Sequence, residues 1–313
     1  MQFGATLAAI VAQSAATLRF GATRASRGQA SPGRPGHFIP SITMLLLLSP
    51  AKTLDYTTPA DVAEPTTPRF LARSAELIDL LKTRSADDIA ELMSLSPALA
   101  ELNVARYAAW RRRPASHAAK PAVLAFDGDV YSGLAARSLS ADDLAWAQDH
   151  VAILSGLYGV LRPLDRMQAY RLEMGTRLPN DKGRDLYAFW RDTITAHLDA
   201  RLRALRREQG EGEDEPVIVN LASQEYFKAV DRRLLRARVI ECVFEDWHGG
   251  GYKIISFFAK RARGAMARHV IQQRVASPLG LRDFKADGYW FDDAASEPDR
   301  LVFRRAERLA EAA

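Results

Sequence analysis

A run of five apolar residues, Met44–Leu48, constrains the fold of this chain more than any other feature of its sequence. The run offers no polar position that could face water, so we predict a strand that is buried on both faces. Such strands belong to sheets that carry helices on both sides, as in α/β proteins. The strand leads into Ser49-Pro50-Ala51-Lys52-Thr53. Because α/β proteins place binding loops at the carboxyl ends of their strands, we expect this loop, with Lys52, to contribute to a binding site.

The remainder of the chain mixes helical and strand patterns. Apolar residues at three- and four-residue spacing predict helices over 69–82, 86–94, 98–112, 141–149, 184–207 and 260–274. Short apolar runs predict further strands near 122–126, 151–154, 217–220, 289–292 and 301–304. His248-Gly249-Gly250-Gly251 predicts a hairpin between Arg238–Trp247 and 252–258, and a hairpin is antiparallel. We therefore predict a mixed α/β (α+β) fold, a mixed sheet surrounded by helices, in one domain over residues 44–313.

The first 43 residues differ from the rest in composition. They contain four arginines but no lysine and no carboxylate, and they are rich in Ala, Ser and Gly. We interpret them as a disordered or misassigned N-terminal extension, with an organelle transit peptide as the alternative. The net charge of the whole chain is +5, and it falls to +1 when these four arginines are set aside. A nucleic-acid partner must therefore be argued from where charges cluster in the body.

Cysteine and histidine usage limits the kinds of site that this chain can hold. A single Cys242 excludes an internal disulfide, a cysteine-rich zinc site and an iron–sulfur cluster held by this chain alone. The six histidines lie far apart in sequence, so we expect no metal site and no bound cofactor. No window is apolar enough to span a membrane. We expect a cytoplasmic protein.

The strongest charge signal is a basic block at residues 252–275 that contains no Asp or Glu. Its cations are Lys253, Lys260, Arg261, Arg263, Arg268 and Arg274. Lys260, Arg261 and Arg263 would occupy the first turn of a helix that begins at residue 260. Cations there oppose the helix dipole, and a bound anion would reverse the penalty. The block thus predicts an anion site, unless it is a solvated face paired with carboxylates elsewhere in the fold.

A second signal is the glycine-bearing stretch Ser155-Gly156-Leu157-Tyr158-Gly159, followed by Arg162. It resembles the hairpin of a helix-hairpin-helix motif, whose backbone N–H groups contact DNA phosphates without reading sequence. Two residues separate the glycines, where that motif usually has one. The preceding run 151–154 could equally be a strand.

Polar residues cluster at three further places. They are Asp127 and Asp129 after an apolar run, Arg171 and Glu173 on an alternating stretch, and Asn220, Ser223 and Glu225 after the predicted strand 217–220. Together with Lys52 they could form a pocket for acid–base chemistry. A turn, an internal ion pair and a helix cap are the structural alternatives for the three clusters.

Six blocks of this sequence resemble the YaaA family of bacterial peroxide stress proteins. They are SPAKTLDY from Ser49, FDGDVY from Phe126, LSGLYGVLRPLD from Leu154, YRLEMG from Tyr170, NLAS-Q-EYFK from Asn220, and KIISF with AKRARG from Lys253. The resemblance runs from Met44 to about Arg305. The acidic loop 208–216 is longer than the family pattern.

The resemblance implies a family-specific fold with a helix-hairpin-helix-like element and a positively charged cleft that binds DNA. It also implies a part in hydrogen peroxide defence that limits free iron and the DNA damage it causes, with no established catalytic activity. Our first hypothesis is DNA binding of low sequence specificity, mainly through the phosphate backbone. The residues assigned to it are Lys52, Gly156, Leu157, Tyr158, Gly159, Arg162, Lys253, Lys260, Arg261 and Arg263.

The rival hypothesis is an enzyme that acts on nucleic acid or on a nucleotide. Its pocket would contain Lys52, Asp127, Asp129, Arg171, Glu173, Asn220, Ser223 and Glu225. A third hypothesis is an iron-binding stress protein. A narrow, deep cavity would favour chemistry, whereas a broad groove as wide as a duplex would favour binding. The oligomeric state stays open.

Overall fold

The apolar run Met44–Leu48 forms an interior strand of the main sheet in a computed structural model, which describes residues 42–60, 62, 64–210 and 215–306. All five residues of this strand are buried, as predicted. The strands are β1 (Met44–Leu48), β2 (Thr53–Leu54), β3 (Lys120–Pro121), β4 (Phe126–Asp127), β5 (Val151–Ser155), β6 (Gly159–Leu161), β7 (Arg166–Met167), β8 (Val217–Asn220), β9 (Arg238–Trp247), β10 (Tyr252–Lys253), β11 (Trp290–Phe291) and β12 (Arg300–Arg305).

The main sheet has eight strands and is mixed, which confirms the predicted fold class. Its order is β11-β12-β9-β8-β1-β5-β6, with β10 paired to β9. The five central strands from β12 to β5 are parallel, and antiparallel partners lie at the edges. From β1 the chain continues to β5 on one side, and from β8 it continues to β9 on the other. The direction of winding therefore reverses between β1 and β8, where open α/β sheets leave a crevice at the strand ends.

Helices surround this sheet. They are α1 (Leu71–Lys82), α2 (Ala86–Met93), α3 (Pro97–Ala109), α4 (Ala122–Ala125), α5 (Asp129–Leu134), α6 (Ala141–His150), α7 (Leu186–Glu208), α8 (Gln224–Phe227) and α9 (Ser256–Gln273). Ser85 and Ser140 begin α2 and α6 with capping boxes, each paired with the Asp three residues later. The predicted cap Ser96 makes no side-chain bond at the start of α3.

The basic block folds differently from the prediction. Helix α9 begins at Ser256, four residues earlier than expected, and the strand after the glycine turn ends at Lys253. Lys260 is therefore the fifth residue of α9, so Lys260, Arg261 and Arg263 lie beyond the first turn. The dipole effect fades within that turn, so the electrostatic penalty inferred from the sequence is wrong.

The segment 151–161 is a β-hairpin, so the helix-hairpin-helix-like element is not confirmed. Strands β5 and β6 pair antiparallel, and the connecting residues are buried. A Cβ atom on Gly156 would lie 2.3 Å from the Leu172 carbonyl oxygen, and one on Gly159 would lie 2.7 Å from the Trp190 ring. Gly156 therefore leaves room for a carbonyl oxygen, and Gly159 leaves room for an indole ring. This packing, rather than exposure of N–H groups to a ligand, explains the two glycines.

A close crossing of α5 and α9 fixes one side of the molecule. A Cβ atom on Gly264 would lie 1.7 Å from the Val130 carbonyl oxygen, and one on Gly133 would lie 2.0 Å from the Arg261 carbonyl oxygen. The two helix backbones are therefore in direct contact. Gly264 is required because the atoms that approach it are backbone atoms of α5.

The predicted extension 1–43 lies outside the described residues, apart from Ile42 and Thr43. These two already bond to the domain: the Ile42 amide donates to the Ala276 carbonyl, and the Val217 amide donates to the Thr43 carbonyl. Part of the acidic loop 208–216 also lies outside them, because residues 211–214 are not described. No helix in the described part of the chain is long and apolar enough to cross a membrane.

Candidate functional site

A cavity of about 360 Å³ opens at the carboxyl ends of β1 and β8, where the sheet reverses its winding. The loop after β1 supplies Lys52, the start of α5 supplies Asp129, and α9 supplies Lys260. Its full lining is Ser49, Pro50, Ala51, Lys52, Thr53, Asp127, Gly128, Asp129, Val130, Tyr170, Arg171, Leu172, Glu173, Ser223, Glu225, Tyr226, Lys260 and Arg263. Residues from separate sequence blocks therefore meet in one concave site.

Hydrogen bonds of Ser49 hold the two strand ends together at the base of this cavity. The Ser223 amide donates to Ser49 Oγ at 2.8 Å, and Ser49 Oγ lies 3.3 Å from Ser223 Oγ. The Tyr131 hydroxyl donates to the Ser49 carbonyl at 3.1 Å. Ser49 thus links β1, β8 and α5, so the relative positions of their loops are fixed.

Glu173 lies between two cations in the cavity wall. Its Oε2 is 3.2 Å from Lys52 Nζ, and its Oε1 is 3.2 Å from Arg171 Nη2. The sequence allowed two interpretations of Arg171 and Glu173, as pocket residues or as an internal ion pair. In the structure they form an ion pair with each other and also line the cavity. Lys52 completes the group, with a side chain that is 63% exposed toward the opening.

Glu225 is positioned by backbone contacts. Its Oε1 accepts a hydrogen bond of 2.9 Å from the Gly175 amide, and its carbonyl accepts one of 2.9 Å from the Tyr187 hydroxyl. Ser223 begins the short helix α8, which carries Glu225, but it makes no side-chain cap bond there. A charge-assisted bond to a backbone N–H fixes the carboxylate in place and leaves its second oxygen available.

Four other charged groups line the cavity without pairing. Asp127, Asp129, Lys260 and Arg263 make no ion pair and no side-chain hydrogen bond with any residue that the structure describes. Burial lowers the pKa of the Arg263 guanidinium, which shows that its charge is partly desolvated. Unpaired, partly buried charge is costly. The cavity therefore holds positive and negative groups that do not pair with one another. This arrangement suits a polar ligand that lies between them.

The rest of the basic block does not converge on this site. Arg261 Nε is 2.9 Å from Asp287 Oδ2, and Arg274 Nη1 is 2.8 Å from Asp143 Oδ1. Arg268 donates to the carbonyls of Leu134 and Ala135 at the end of α5. Lys253 is exposed on β10 and does not line the cavity. The reading of this block as a solvated face paired with acids therefore holds for Arg261 and Arg274.

Other residues of the DNA-binding hypothesis also lie elsewhere. Leu157 and Tyr158 are at most 1% exposed, and the Tyr158 amide already donates to Ser155 Oγ at 2.9 Å. Arg162 borders a different cavity and pairs with Asp165. From the pocket hypothesis only Asn220 is missing from the lining, because its Oδ1 accepts the Ala222 amide in a local turn.

Two tyrosines of the lining were not predicted as site residues. Tyr170 shares a 2.7 Å hydrogen bond with Ser155 Oγ, and burial raises the pKa of both Tyr170 and Tyr226. They form a neutral, rigid wall of the cavity. Tyr170 lies in the sequence block YRLEMG, and Tyr226 lies in the block EYFK. An aromatic residue in such a pattern is typical of a core position, so neither tyrosine was expected in the site.

No three His, Cys, Asp or Glu side chains lie close enough to hold a metal ion in the ranges that the structure describes. Cys242 is buried on β9, and burial raises the pKa of its thiol to about 12. The iron-binding hypothesis therefore receives no support from these side chains.

Every residue that lines the cavity falls within residues 44–295, which match the family model described as "Peroxide stress protein YaaA". The chain belongs to the YaaA family. A UPF0246 protein of Bordetella petrii is 62% identical over 262 residues, 84% of this chain and 99% of that protein. A UPF0246 protein of Methylibium petroleiphilum is 61% identical with the same coverage, and one of Bordetella pertussis is 59% identical over 264 residues. The resemblance seen in the sequence is confirmed.

Proposed function

We propose that this YaaA family protein binds DNA and takes one nucleotide of it into the cavity at the ends of β1 and β8. The observation that carries the proposal is the pair of unpaired cations, Lys260 and Arg263, on the same cavity as the unpaired carboxylates Asp127 and Asp129. Cations of this kind bind phosphate, and carboxylates accept hydrogen bonds from the amino groups of bases. A nucleotide offers both partners.

The size of the cavity decides how DNA would enter. A volume of about 360 Å³ lies in the range of small-ligand pockets and cannot admit a double helix. Proteins that bind a nucleotide in such a pocket use single strands or extrude the nucleotide from the duplex. We therefore replace the broad phosphate-binding groove expected from the sequence by a pocket for a single nucleotide unit.

An exposed aromatic residue on the helix that carries Lys260 supports the same proposal. Phe257 is 56% exposed and lies three residues before Lys260 on α9, so both occupy one face of the helix. Unpaired bases stack on such rings, at about 1–3 kcal/mol per base. Lys260 would contact the phosphate that follows the stacked base.

Binding of a labelled single-stranded oligonucleotide across a salt series tests this proposal. The variant K260Q/R263Q should lower the slope of log affinity against log salt by about 1.4, since each phosphate contact on a single strand contributes about 0.7. F257A should weaken binding about tenfold with little change of slope. The duplex of the same sequence should bind less tightly than the single strand.

A matched control separates local contacts from bulk charge. Arg203 and Arg207 are exposed on α7 and make no side-chain hydrogen bond or ion pair with described residues, so R203Q/R207Q removes the same charge elsewhere. Thermal unfolding confirms that each variant is folded. An unchanged salt slope in K260Q/R263Q, or an equal loss in the control, would contradict the proposal.

A second candidate function is chemistry on the bound nucleotide, because Asp129 is unpaired and faces the same cavity as the Lys52–Glu173–Arg171 group. An unpaired carboxylate can accept a proton from a bound group or from water. Incubation with nicked, abasic or oxidised oligonucleotides, with and without Mg²⁺, should give a product that D129N does not form. No new product from any of these substrates would leave binding as the only function.

In the cell, the proposal links the YaaA family's part in peroxide stress to DNA. A protein that holds unstacked nucleotides would act in the cytoplasm, where the DNA of bacteria such as the relatives lies. Protection of DNA against iron and peroxide in vitro, lost in K260Q/R263Q and kept in R203Q/R207Q, would support this link.

A further inference from the structure

A second cavity, of about 870 Å³, lies where the end of α3 meets β7, and it shares no lining residue with the candidate site. Four of its residues are arginines and none is acidic. Its lining is Thr67, Pro68, Leu71, Arg111, Arg112, Arg113, Pro114, Arg166 and Gln168. We call it the arginine cavity. The sequence predicted a helix over 98–112, whereas α3 ends at Ala109, so Arg111 and Arg112 lie beyond the helix.

Hydrogen bonds fix the frame of the arginine cavity. The Arg111 amide donates to Gln168 Oε1 at 3.0 Å, and Gln168 Nε2 donates back to the Arg111 carbonyl at 2.7 Å. Gln168 is 8% exposed, so this reciprocal pair is buried. The preceding residue, Trp110, donates from Nε1 to the Tyr158 hydroxyl at 3.0 Å in the core. The segment that carries the arginines is therefore held in one conformation, which lowers the entropy lost when a ligand binds.

The four guanidinium groups have no acidic partner among the residues that the structure describes. None of Arg111, Arg112, Arg113 and Arg166 forms an ion pair with a carboxylate of the described residues, and Arg112 and Arg113 make no side-chain hydrogen bond there. Arg111 uses only Nη1, toward the carbonyls of Ala108 and Trp110. Arg166 uses only Nη2, toward the carbonyls of residues 115 and 116. Each arginine thus keeps N–H donors available.

These observations together favour a ligand with several negative charges in a small volume. Like charges around one concavity repel one another, and a multivalent anion relieves that repulsion at several groups at once. The guanidinium fork matches the geometry of phosphate oxygens. Pro68, Leu71 and Pro114 add an apolar part to the lining, which a purely inorganic anion would not need.

We propose that the arginine cavity binds a compact ligand that carries several phosphate groups, such as a nucleoside triphosphate or inorganic triphosphate. A single concave cluster suits such a ligand better than a DNA backbone, whose phosphates are spread along a line. The volume lies within the range of small-molecule sites. This proposal does not depend on the DNA-binding proposal, because the two cavities share no residue.

Isothermal titration of the full chain with ATP, inorganic triphosphate and adenosine tests the proposal. We expect saturable binding of both polyphosphates, none of adenosine, and tighter binding of ATP if the apolar part of the lining contacts the nucleoside. R112Q/R113Q should weaken triphosphate binding at least tenfold, because hydrogen bonds to charged groups are individually strong. The exposed-charge control R203Q/R207Q should leave triphosphate binding unchanged.

Three results would overturn the proposal. One is the absence of saturable binding of either polyphosphate by the unaltered protein. Another is an equal loss in R112Q/R113Q and R203Q/R207Q, which would show a response to net charge only. The third is a loss of oligonucleotide binding in R112Q/R113Q without any loss of triphosphate binding, which would make the arginine cavity a nucleic-acid contact. Thermal unfolding of each variant shows that the fold is retained.

Discussion

The crossing of α5 and α9 makes a strong prediction about Gly264. An alanine Cβ at this position would lie 1.7 Å from the Val130 carbonyl oxygen and 2.7 Å from the Leu134 amide nitrogen, both of them backbone atoms. An ordinary contact begins at about 3.4 Å, so the two helices must separate by more than 1 Å. Overpacking costs about 1–3 kcal/mol, and more when no flexible side chain can give way.

Helix propensity acts in the opposite direction. Alanine is favoured over glycine inside a helix by about 1 kcal/mol, which offsets part of the steric cost. Both approaching atoms are backbone, so the packing cost should lie at the upper end of that range, about 3 kcal/mol. After the propensity gain is subtracted, we expect G264A to lower the free energy of unfolding by about 2 kcal/mol. Since α5 carries Asp129 and α9 carries Lys260 and Arg263, separation of the helices should also widen the cavity and weaken oligonucleotide binding.

Urea unfolding followed by circular dichroism measures this effect. G251A is the matched control, because a Cβ atom on Gly251 would meet nothing within 4 Å and its backbone is not in the left-handed region. The control should stay within about 0.5 kcal/mol of the unaltered protein, as surface substitutions usually do. A G264A protein as stable as the control would refute the direct contact between the two helix backbones.

Two further predictions concern buried groups. Burial, together with Arg201, Arg69 and Arg162, lowers the pKa of His197 from 6.5 to about 4, so between these pH values the unfolded chain binds a proton that the folded chain does not. Stability should therefore fall by up to about 3 kcal/mol as the pH drops from 7 to 4, and urea unfolding of H197Q should show a smaller fall. Cys242 is 4% exposed and its pKa is raised to about 12, so a thiol reagent at pH 8 should modify it only in urea. Modification of the native protein at the unfolded rate would contradict this burial.

The strands and helices that could be predicted from the sequence are those whose pattern is local. Met44–Leu48 is apolar throughout, and the helices after Ser85 and Ser140 carry both their apolar spacing and their caps within a few residues. The start of α9 could not be found in this way. Phe257 and Phe258 have strand propensity, whereas the contact between Gly264 and α5, which the local pattern does not record, favours the helix.

The glycines of 156–159 show the same limit. Their spacing suggested exposed backbone, but the groups that require them are Leu172 and Trp190, which lie well beyond the hairpin in sequence. Single-sequence patterns do not record which distant residue approaches a glycine. The apparent DNA-binding hairpin was therefore a packing feature.

The site was predicted in its composition and not in its arrangement. Seven of the eight residues named in the pocket hypothesis line one cavity, although they come from separate sequence blocks. Which cations remain unpaired depends on distant acids. No pattern predicted that Asp287 pairs with Arg261 while Arg263 has no acidic partner among the described residues. The sequence did not predict the arginine cavity, because Arg166 is distant in sequence from residues 111–113. The two come together only in the folded chain, where β7 carries Arg166.

A crystal structure with a short single-stranded oligonucleotide tests the central proposal most directly. We predict one nucleotide in the cavity, with phosphate oxygens within hydrogen-bond distance of Arg263 and Lys260 and with the base edge facing Asp127 or Asp129. The oligonucleotide bound on another surface, with the cavity left open, would contradict the account.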